Sequence, residues 1–326
     1  MERIKVSVII PVHNVSCYIE KCARSLLEQT IGSIEFIFVD DCSTDDSISI
    51  LENVIADYPE RKNVTHIERQ DRNRGQSYAR NTGLKIASGE YIAYCDADDW
   101  VDARMYQVMY EKASSQKADI CYCDYNIVHK DSIQCQHAVD CSGLDKVDFM
   151  KRYMTSGLTV VWNMIVRRDV YFRNNLKFPK NITYCEDFWL SVRLMHFAEK
   201  VIKVNSSFYY YNRLNAASLL NEPSREACED MLCAYLETVD FFRNTGNIEH
   251  YEKELSWRIL AAKQDMVLNP EEYDRFLAIY PDSHRYITSC PEYFCNRKIK
   301  FMMWMLTHGL GIVVTGINHM RKLARR

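Results

Sequence analysis

Two hydrophobic periodicities alternate along the first 125 residues of the 326-residue chain, and this alternation restricts the fold more than any other feature. Short runs of β-branched and aromatic residues are separated by amphipathic stretches of helical period, among them Ser77–Ala87 and Ala103–Ala113. Strands that alternate with helices predict a parallel sheet covered on both faces and joined by right-handed crossovers. The predicted strands are Val6–Val12, Glu35–Asp40, Val64–Glu68, Tyr91–Cys95 and Ile120–Cys123.

Ligands of such a sheet bind beyond the carboxyl ends of its strands, where the connecting loops converge. The segments at the ends of the first, second and fourth predicted strands are polar or acidic, and their sequences are Pro11-Val12-His13-Asn14, Asp40-Asp41-Cys42-Ser43-Thr44-Asp45 and Asp96-Ala97-Asp98-Asp99. We therefore expect a ligand site at this edge of the sheet.

Three carboxylates lie within four residues in the segment Asp96–Asp99. Such carboxylates repel one another unless water or a cation screens them. Mg²⁺ prefers one or two carboxylates together with substrate phosphates, so one interpretation is a divalent ion shared with a diphosphate. The other is a solvated turn in which Asp99 or Asp102 caps the next helix. The position directly after a hydrophobic strand favours the metal site.

The acidic segment Asp40–Asp45 is compatible with recognition of a nucleotide base, because a carboxylate there can accept a hydrogen bond from the imide N–H of a pyrimidine. It is also compatible with a capping turn in which Ser43 or Thr44 begins a helix at Asp46, and both can hold at once. Neither G-x-G-x-x-G nor G-x-x-x-x-G-K-[ST] occurs, so phosphates would be bound by a metal ion and cationic side chains. The candidate cations are Arg72, Arg74 and Arg80.

Two features of the second half could take part in chemistry. Glu186 and Asp187 begin a predicted helix that runs to Ala198, where the helix dipole favours acidic residues without any functional role. A carboxylate there could also take a proton from an acceptor hydroxyl group. Arg213 follows the predicted strand Val201–Tyr211 and could bind a leaving diphosphate.

Taken in order, these segments resemble the inverting family 2 glycosyltransferases of bacterial polysaccharide biosynthesis. The resemblance covers about residues 4–220, and the order of the motifs makes it specific. The first half contributes Val6–Asn14, Val39–Asp45, Asn73–Gly75 with Ala79–Asn81, Gly89–Ile92 and Asp96–Asp99. The second half contributes Trp162-Asn163, Phe178-Pro179, Glu186-Asp187 and Tyr211–Arg213 with Ser218.

The resemblance implies a GT-A fold, which is an α/β/α sandwich on a mostly parallel sheet, and a nucleotide-sugar donor such as a UDP-sugar. Asp41 would bind the base, and Asp96 would contact the ribose. Family members usually have Tyr at the position of His13 and Gly at that of Cys42. The residues that would line the nucleoside pocket are Pro11, Val12 and Asn14.

The resemblance also implies a chemistry. Asp98 would coordinate Mg²⁺ or Mn²⁺ bridging the diphosphate, and Asp187 would be the catalytic base. Arg213 would face the phosphates, for which Arg80 is a further candidate. One base and no protein nucleophile predict a single displacement with inversion, in which Asp187 deprotonates the acceptor hydroxyl as it attacks the anomeric carbon.

Two other classes of function stay open. A nucleotidyltransferase would also use a parallel sheet and metal-binding carboxylates, but it would usually have a Gly-rich loop where this chain has Pro11–Asn14. A non-catalytic nucleotide-binding or membrane-docking protein would keep the fold without the chemistry. The presence of both Asp98 and Asp187 favours the enzyme.

We expect three regions in the chain. Residues 1–220 would form the GT-A domain, with a nucleotide-sugar-binding half at 1–125 and an acceptor half at 126–220. Residues 221–296 would form a helical extension punctuated by prolines, and residues 297–326 a basic, apolar tail. The prolines are Pro223, Pro270 and Pro281.

The net charge of −3 combines an acidic body with a basic tail and predicts no nucleic-acid partner. No acidic residue follows Glu292, and no charged residue occurs from Phe301 to Met320. We expect the tail to contact anionic lipids as an interfacial helix or hairpin; the alternative is a terminal helix packed on residues 223–280. The cations of the tail are Arg297, Lys298, Lys300, Arg321, Lys322, Arg325 and Arg326.

The apolar run Val6–Val12 is too short for the core of a secretion signal. We therefore expect a cytoplasmic protein, peripheral at the cytoplasmic face of the cell membrane if the tail contacts lipid. A glycan or a lipid-linked glycan would be its acceptor, as the resemblance implies.

Overall fold

The computed structural model describes residues 3–215 and 224–323, so Ser218 and the last three residues lie outside the described part. The chain divides into two compact units between residues 222 and 223. The first unit contains one sheet of nine described strands, and the second is helical. The strands are β1 (Val6–Val12), β2 (Ile34–Asp40), β3 (Thr65–Arg69), β4 (Tyr91–Tyr94), β5 (Trp100–Val101), β6 (Ile120–His129), β7 (Ser132–Gln136), β8 (Met164–Arg167) and β9 (Val201–Asn212).

The described helices of the first unit lie between these strands, and those of the second unit follow one another along the chain. The first set is α1 (Ile19–Leu27), α2 (Ser47–Ala56), α3 (Gln76–Ile86), α4 (Met105–Gln116), α5 (Lys146–Thr155), α6 (Arg168–Arg173) and α7 (Glu186–Phe197). The second set is α8 (Arg225–Asn244), α9 (Ile248–Ala262), α10 (Tyr273–Ala278), α11 (Arg297–Thr307) and α12 (Gly311–Leu323).

The sheet has the strand order β3-β2-β1-β4-β8-β6-β9-β5, with β7 paired to β6. Of the nine described strands, β1, β2, β3, β4, β6 and β9 run in one direction, and β5, β7 and β8 run against them. The prediction of a mostly parallel sheet is thus confirmed. The antiparallel direction of β8 and its place between β4 and β6 were not evident from the sequence.

Alternate residues of β1 pack against helices on opposite faces of the sheet. Val8 and Ile10 belong to a core cluster with residues of α1, α2 and α4. Ile9 points to the other face, where a Cβ added to Gly83 of α3 would lie 2.4 Å from its Cγ2. This period of two, with both faces covered, produces the continuous apolar run that the sequence shows in a buried parallel strand.

Strand β6 is longer than the predicted Ile120–Cys123 because its polar residues have partners inside the fold. The Asp124 carboxylate, which is buried, forms an ion pair with Lys203 of β9 at 2.7 Å. The Asn126 amide donates a hydrogen bond of 3.1 Å to the carbonyl oxygen of Ser207. Pairing with β9 therefore carries the strand through polar positions that interrupt the hydrophobic run.

The apolar tail packs on the core of the second unit as two helices. On α11, Ile299, Met302 and Met303 are buried, and they share a cluster with Phe276 of α10 and Val314 of α12. This is the packed arrangement named as the alternative for the tail, with two helices in place of one. In the described part of the chain, no helix is long and apolar enough to cross a membrane.

Candidate active site

The turn after β2 is held by the loop after β1. The Asn14 side-chain oxygen accepts a 2.8 Å hydrogen bond from the Thr44 N–H, and the Ser43 N–H donates 2.8 Å to Asp40. The interpretation of Ser43 or Thr44 as a helix cap is wrong: α2 begins at Ser47, whose N–H donates a 3.0 Å hydrogen bond to the Asp45 carboxylate. The first and second polar loops thus meet at one edge of the sheet, as predicted.

Three non-glycine residues beside the predicted site adopt the left-handed backbone conformation. Asn14 has a φ of 50°, Cys42 a φ of 61° and Cys185 a φ of 68°. Asn tolerates this region, but a residue such as Cys is strained there. Cys42 therefore keeps the turn that Gly would adopt without strain, and Cys185 turns the chain directly before Glu186 and Asp187.

Asp41 is buried at the end of β2 and fixes the loop before α3. Its two carboxylate oxygens accept hydrogen bonds from the N–H groups of Arg74 at 2.8 Å and Gly75 at 2.7 Å. Gly75 has a φ of 85°, a conformation that favours glycine. Asp41 therefore fixes the loop before α3, and base binding by this carboxylate stays a prediction.

Arg80 of α3 contacts three carboxylates, Asp96 and the adjacent pair Glu186 and Asp187, which lie far from Asp96 in the sequence. Its guanidinium donates to Asp96 at 2.7 Å, to Asp187 at 2.8 Å and to Glu186 at 3.0 Å. Asp96 follows β4, 16 residues from Arg80, whereas Asp187 lies on α7, 107 residues away. The Arg80 side chain is only 1% exposed. One buried cation thus brings together the residues predicted to contact the ribose and to act as base.

The contacts of Arg80 differ from the donor-phosphate contact expected from the sequence. Its terminal nitrogens are occupied by the three carboxylates. Phosphate binding by Arg80 stays an untested prediction, and the observed geometry gives the residue a positioning role. The sequence suggested a cation at this position but gave no sign that carboxylates from two distant elements would surround it.

Burial raises the pKa of both acidic residues at the start of α7. Burial raises the pKa of Glu186 to about 8, and the neighbouring Asp187 carboxylate adds to the shift while Arg80 opposes it. Burial also raises the pKa of Asp187, again opposed by Arg80. A carboxylate with a raised pKa is a stronger base, so the environment of Asp187 suits proton abstraction.

Glu186 should make the folded protein less stable as the pH rises. Its pKa is 4.5 when exposed and about 8 in the fold, so folding takes up a proton between these values. This stabilisation is full below the lower pKa and is lost as the pH rises towards the higher one. Urea unfolding at several pH values should show that, as the pH rises, the free energy of unfolding of Glu186→Gln increases relative to that of the wild type. The increase should be at most about 1.4 kcal/mol per pH unit. If the free energies of unfolding of the two proteins changed in parallel with pH, the raised pKa of Glu186 would be contradicted.

The other two carboxylates of the Asp96–Asp99 segment have different surroundings. Asp99 is buried and accepts hydrogen bonds of 2.7 Å from the Tyr209 hydroxyl and the Asn212 N–H, so it ties the end of β9 to the loop after β4. It does not cap α4, whose first turn has no side-chain cap. Asp98 accepts a 2.8 Å hydrogen bond from the Asn215 amide. Burial and the Asp96 charge raise the pKa of Asp98.

The remaining predicted residues lie at the same edge of the sheet. Pro11 and Val12 end β1 and are buried, with the Val12 carbonyl accepting from the Asp41 N–H at 2.8 Å. Arg213 follows β9, between Asn212, which donates to the Asp98 carbonyl at 3.0 Å, and Asn215. Sequence reasoning missed Asn212, Asn215 and Tyr209 as parts of the site. The Tyr209 hydroxyl, besides donating to Asp99, accepts a 3.1 Å hydrogen bond from the Asp96 N–H.

The family model described as glycosyl transferase family 2 matches residues 7–191, which include all the loops above except that of Arg213. The chain belongs to glycosyl transferase family 2. It is similar to a Bacillus subtilis protein described as the uncharacterized glycosyltransferase EpsJ, with 31% identity over 81% of this chain and 77% of that protein. The chain is thus a family 2 glycosyltransferase of the bacterial polysaccharide type, as the sequence motifs indicated.

Two solved structures share the fold of this chain. The Staphylococcus aureus TarS 1–349 complex with UDP-GlcNAc has a TM-score of 0.69 and 17% identity, covering 98% of this chain and 92% of that one. The mannosyltransferase PcManGT of Pyrobaculum calidifontis, in complex with GDP-Man and Mn²⁺, has a TM-score of 0.55 and 15% identity, covering 98% and 88%. The fold of this family 2 enzyme is therefore GT-A, followed by C-terminal helices.

Proposed function

We propose that this glycosyltransferase transfers a sugar from a UDP-sugar to a hydroxyl group of a glycan acceptor, with metal dependence and inversion at the anomeric carbon. The observation that carries the proposal is the contact of Arg80 with both Asp96 and Asp187. The reaction needs a donor-binding carboxylate and a general base in one site, and this guanidinium contacts a candidate for each. The complex of TarS with UDP-GlcNAc supports a UDP-sugar as the donor. Because PcManGT was solved with GDP-Man, GDP-sugars are also included in the donor screen.

Asp187 supplies the base in this proposal. One of its oxygens is held by Arg80 at 2.8 Å, and the other accepts only a long contact of 3.4 Å from the Val161 N–H among the bonds described. The second oxygen can therefore accept the proton of the acceptor hydroxyl. As that proton moves, the hydroxyl oxygen bonds to the anomeric carbon and the bond to the diphosphate breaks. A single displacement of this kind inverts the configuration.

The residues around Asp98 fit a divalent cation. The Asp98 pKa is raised by burial and by repulsion from Asp96, and a cation would relieve that repulsion. Within residues 3–215 and 224–323, no group of three or more acidic, His or Cys side chains is placed to hold an ion by itself. The remaining ligands would come from the diphosphate, the arrangement that Mg²⁺ prefers. When bound, the ion supplies positive charge beside the leaving group.

Asp98→Asn should remove the metal dependence together with most of the activity. The substitution keeps the hydrogen-bond geometry towards Asn215 but removes a negative charge that the cation needs. We expect donor hydrolysis to fall at least about 100-fold and titration with Mn²⁺ to restore little of it. The matched control is Asp102→Asn, because the described hydrogen bonds of the Asp102 side chain are to its neighbour Arg104. If the wild type and Asp98→Asn had equal activity after chelation and readdition of Mn²⁺, Asp98 would not be a ligand of the metal ion.

The acceptor and the location belong to the same proposal. A lipid-linked glycan at the cytoplasmic face of the membrane would place the reaction beside anionic lipids, and the tail of this chain is basic. We infer that the protein works in the cytoplasm, in peripheral contact with the membrane through residues 297–326.

A further inference from the structure

The second unit concentrates its exposed apolar side chains at its C-terminal end. Of the eleven large hydrophobic side chains that are exposed in the described parts of the chain, seven lie in residues 293–320. Six of them lie on α11, α12 and the turn between them, a set we call the tail face: Phe301, Trp304, Leu310, Ile312, Val313 and Met320. The seventh, Tyr293, precedes α11 and is 71% exposed.

The tail face belongs to two helices whose buried residues are packed in the core of the second unit. On α12, Val314 is buried, and the Asn318 amide donates to the carbonyl of Val267 at 2.9 Å and the hydroxyl of Tyr273 at 3.0 Å. These bonds fix the rotation of α12 and leave Ile312 exposed by 91%. The apolar residues outside are thus held in place by the fold of the unit.

Aromatic rings and cations share one side of α11. Arg297, Phe301, Trp304 and His308 follow one another at helical spacing, so their side chains lie along one face. The ring centroids of Phe301 and Trp304 are 6.2 Å apart, and those of Trp304 and His308 are 4.2 Å apart. Lys298 is exposed beside this row, and Arg297 is paired with Glu292, the last acidic residue of the chain.

Charge distinguishes two partners that could cover this apolar face, a second copy of the chain and an anionic lipid surface. A second copy docked through the same face would bring two tails together, each with seven cations and no anion after Glu292. An anionic lipid surface attracts the same cations, by about 1 kcal/mol for each one near the surface. Exposed Trp and Tyr with flanking Lys and Arg are also the composition of protein segments at the boundary between headgroups and acyl chains.

We infer that the tail face docks on an anionic lipid surface, with Phe301, Trp304 and Ile312 inserted at the headgroup boundary. Helix α12 has 13 residues and extends about 20 Å, less than the roughly 30 Å of a hydrocarbon core, so the pair lies in the interface. The biological role of this contact rests on the proposed function, because a lipid-linked acceptor would be presented at such a surface. The lipid contact itself can be measured without any sugar transfer.

The test is sedimentation of the full-length protein with vesicles of phosphatidylcholine containing about 30% phosphatidylglycerol, compared with pure phosphatidylcholine. The wild type should bind the anionic vesicles, and less so at high salt. Phe301→Ser combined with Trp304→Ser should lower the partition coefficient at least about tenfold. Ile133→Ser combined with Phe172→Ser is the matched control, because both residues are exposed apolar positions of the first unit. That control should bind like the wild type.

Circular dichroism and hydrolysis of the sugar donor in solution accompany each variant. Unchanged hydrolysis with lost vesicle binding supports the tail face and leaves the proposed function intact. Ile312→Ser provides a second variant at the most exposed position, should the double variant not fold. Failure of the folded wild type to bind anionic vesicles would overturn the inference. So would undiminished binding by the variants, or a dimer that these substitutions dissociate without any lipid binding.

Discussion

Asp187→Asn is expected to lower the rate of sugar transfer by about 100-fold to 10,000-fold, the contribution typical of a general base. Asparagine cannot take a proton from the acceptor hydroxyl, but its side-chain oxygen can still accept the 2.8 Å hydrogen bond from Arg80. The site should therefore keep its shape. We expect calorimetry to give nearly the same affinity for UDP with Mn²⁺ in the variant and the wild type, so that the loss is confined to the chemical step.

The matched control for this prediction is Asp169→Asn. Asp169 is an exposed acidic residue that pairs with Arg173 one helical turn later. Its replacement should change neither transfer nor UDP affinity. If Asp187→Asn lost UDP binding together with activity, Asp187 would be part of the donor site instead of the base.

Arg80→Met is expected to destabilise the first unit strongly. Removal of the buried guanidinium leaves the carboxylates of Asp96, Glu186 and Asp187 without their shared cation. Breaking a buried ion pair by removing one partner costs about 3–5 kcal/mol, because the remaining charge is left uncompensated. Urea unfolding of the first unit, followed by tyrosine and tryptophan fluorescence, measures the change.

Two further variants separate a positioning role of Arg80 from a purely structural one. Arg173→Met removes an exposed ion pair and should cost less than about 1 kcal/mol. Arg80→Lys keeps the charge but lacks the fork that reaches both Asp96 and Asp187. Arg80 lowers the pKa of Asp187 and so opposes the effect of burial. A weaker contact in Arg80→Lys should therefore raise the pKa of Asp187 and move the acidic limb of the pH–rate profile to higher pH. An unshifted profile, with activity lost only in proportion to folded protein, would contradict the positioning role.

Local sequence patterns predicted the first half of the sheet closely. Strand β1 has the predicted bounds, because every residue of Val6–Val12 is buried and its one polar side chain, Ser7, donates a hydrogen bond to the Glu35 carboxylate. Helix α7 begins at Glu186 as expected, with its acidic first turn. The positions of the polar loops also followed from the pattern, because parallel strands bring their carboxyl ends to one edge.

Long-range pairing limited the prediction of the rest. The antiparallel β8 is a four-residue strand whose neighbours β4 and β6 precede it by many residues, and periodicity contains no information on such partners. The same holds for Arg80, whose carboxylates come from two distant elements. Motifs named Asp96, Asp98 and Asp187 separately, but only the fold shows that one cation joins two of them.

The most direct test of donor chemistry is a hydrolysis screen of the purified full-length protein with UDP-, GDP- and dTDP-sugars, with Mn²⁺ or with chelator. Release of the free nucleoside diphosphate is measured for the wild type, Asp98→Asn and Asp102→Asn. We predict metal-dependent release of UDP from a UDP-sugar by the wild type and the control, and none above background by Asp98→Asn. Absence of nucleoside diphosphate release from all donors, or release of pyrophosphate from a nucleoside triphosphate with a sugar phosphate, would contradict the proposed glycosyltransferase chemistry.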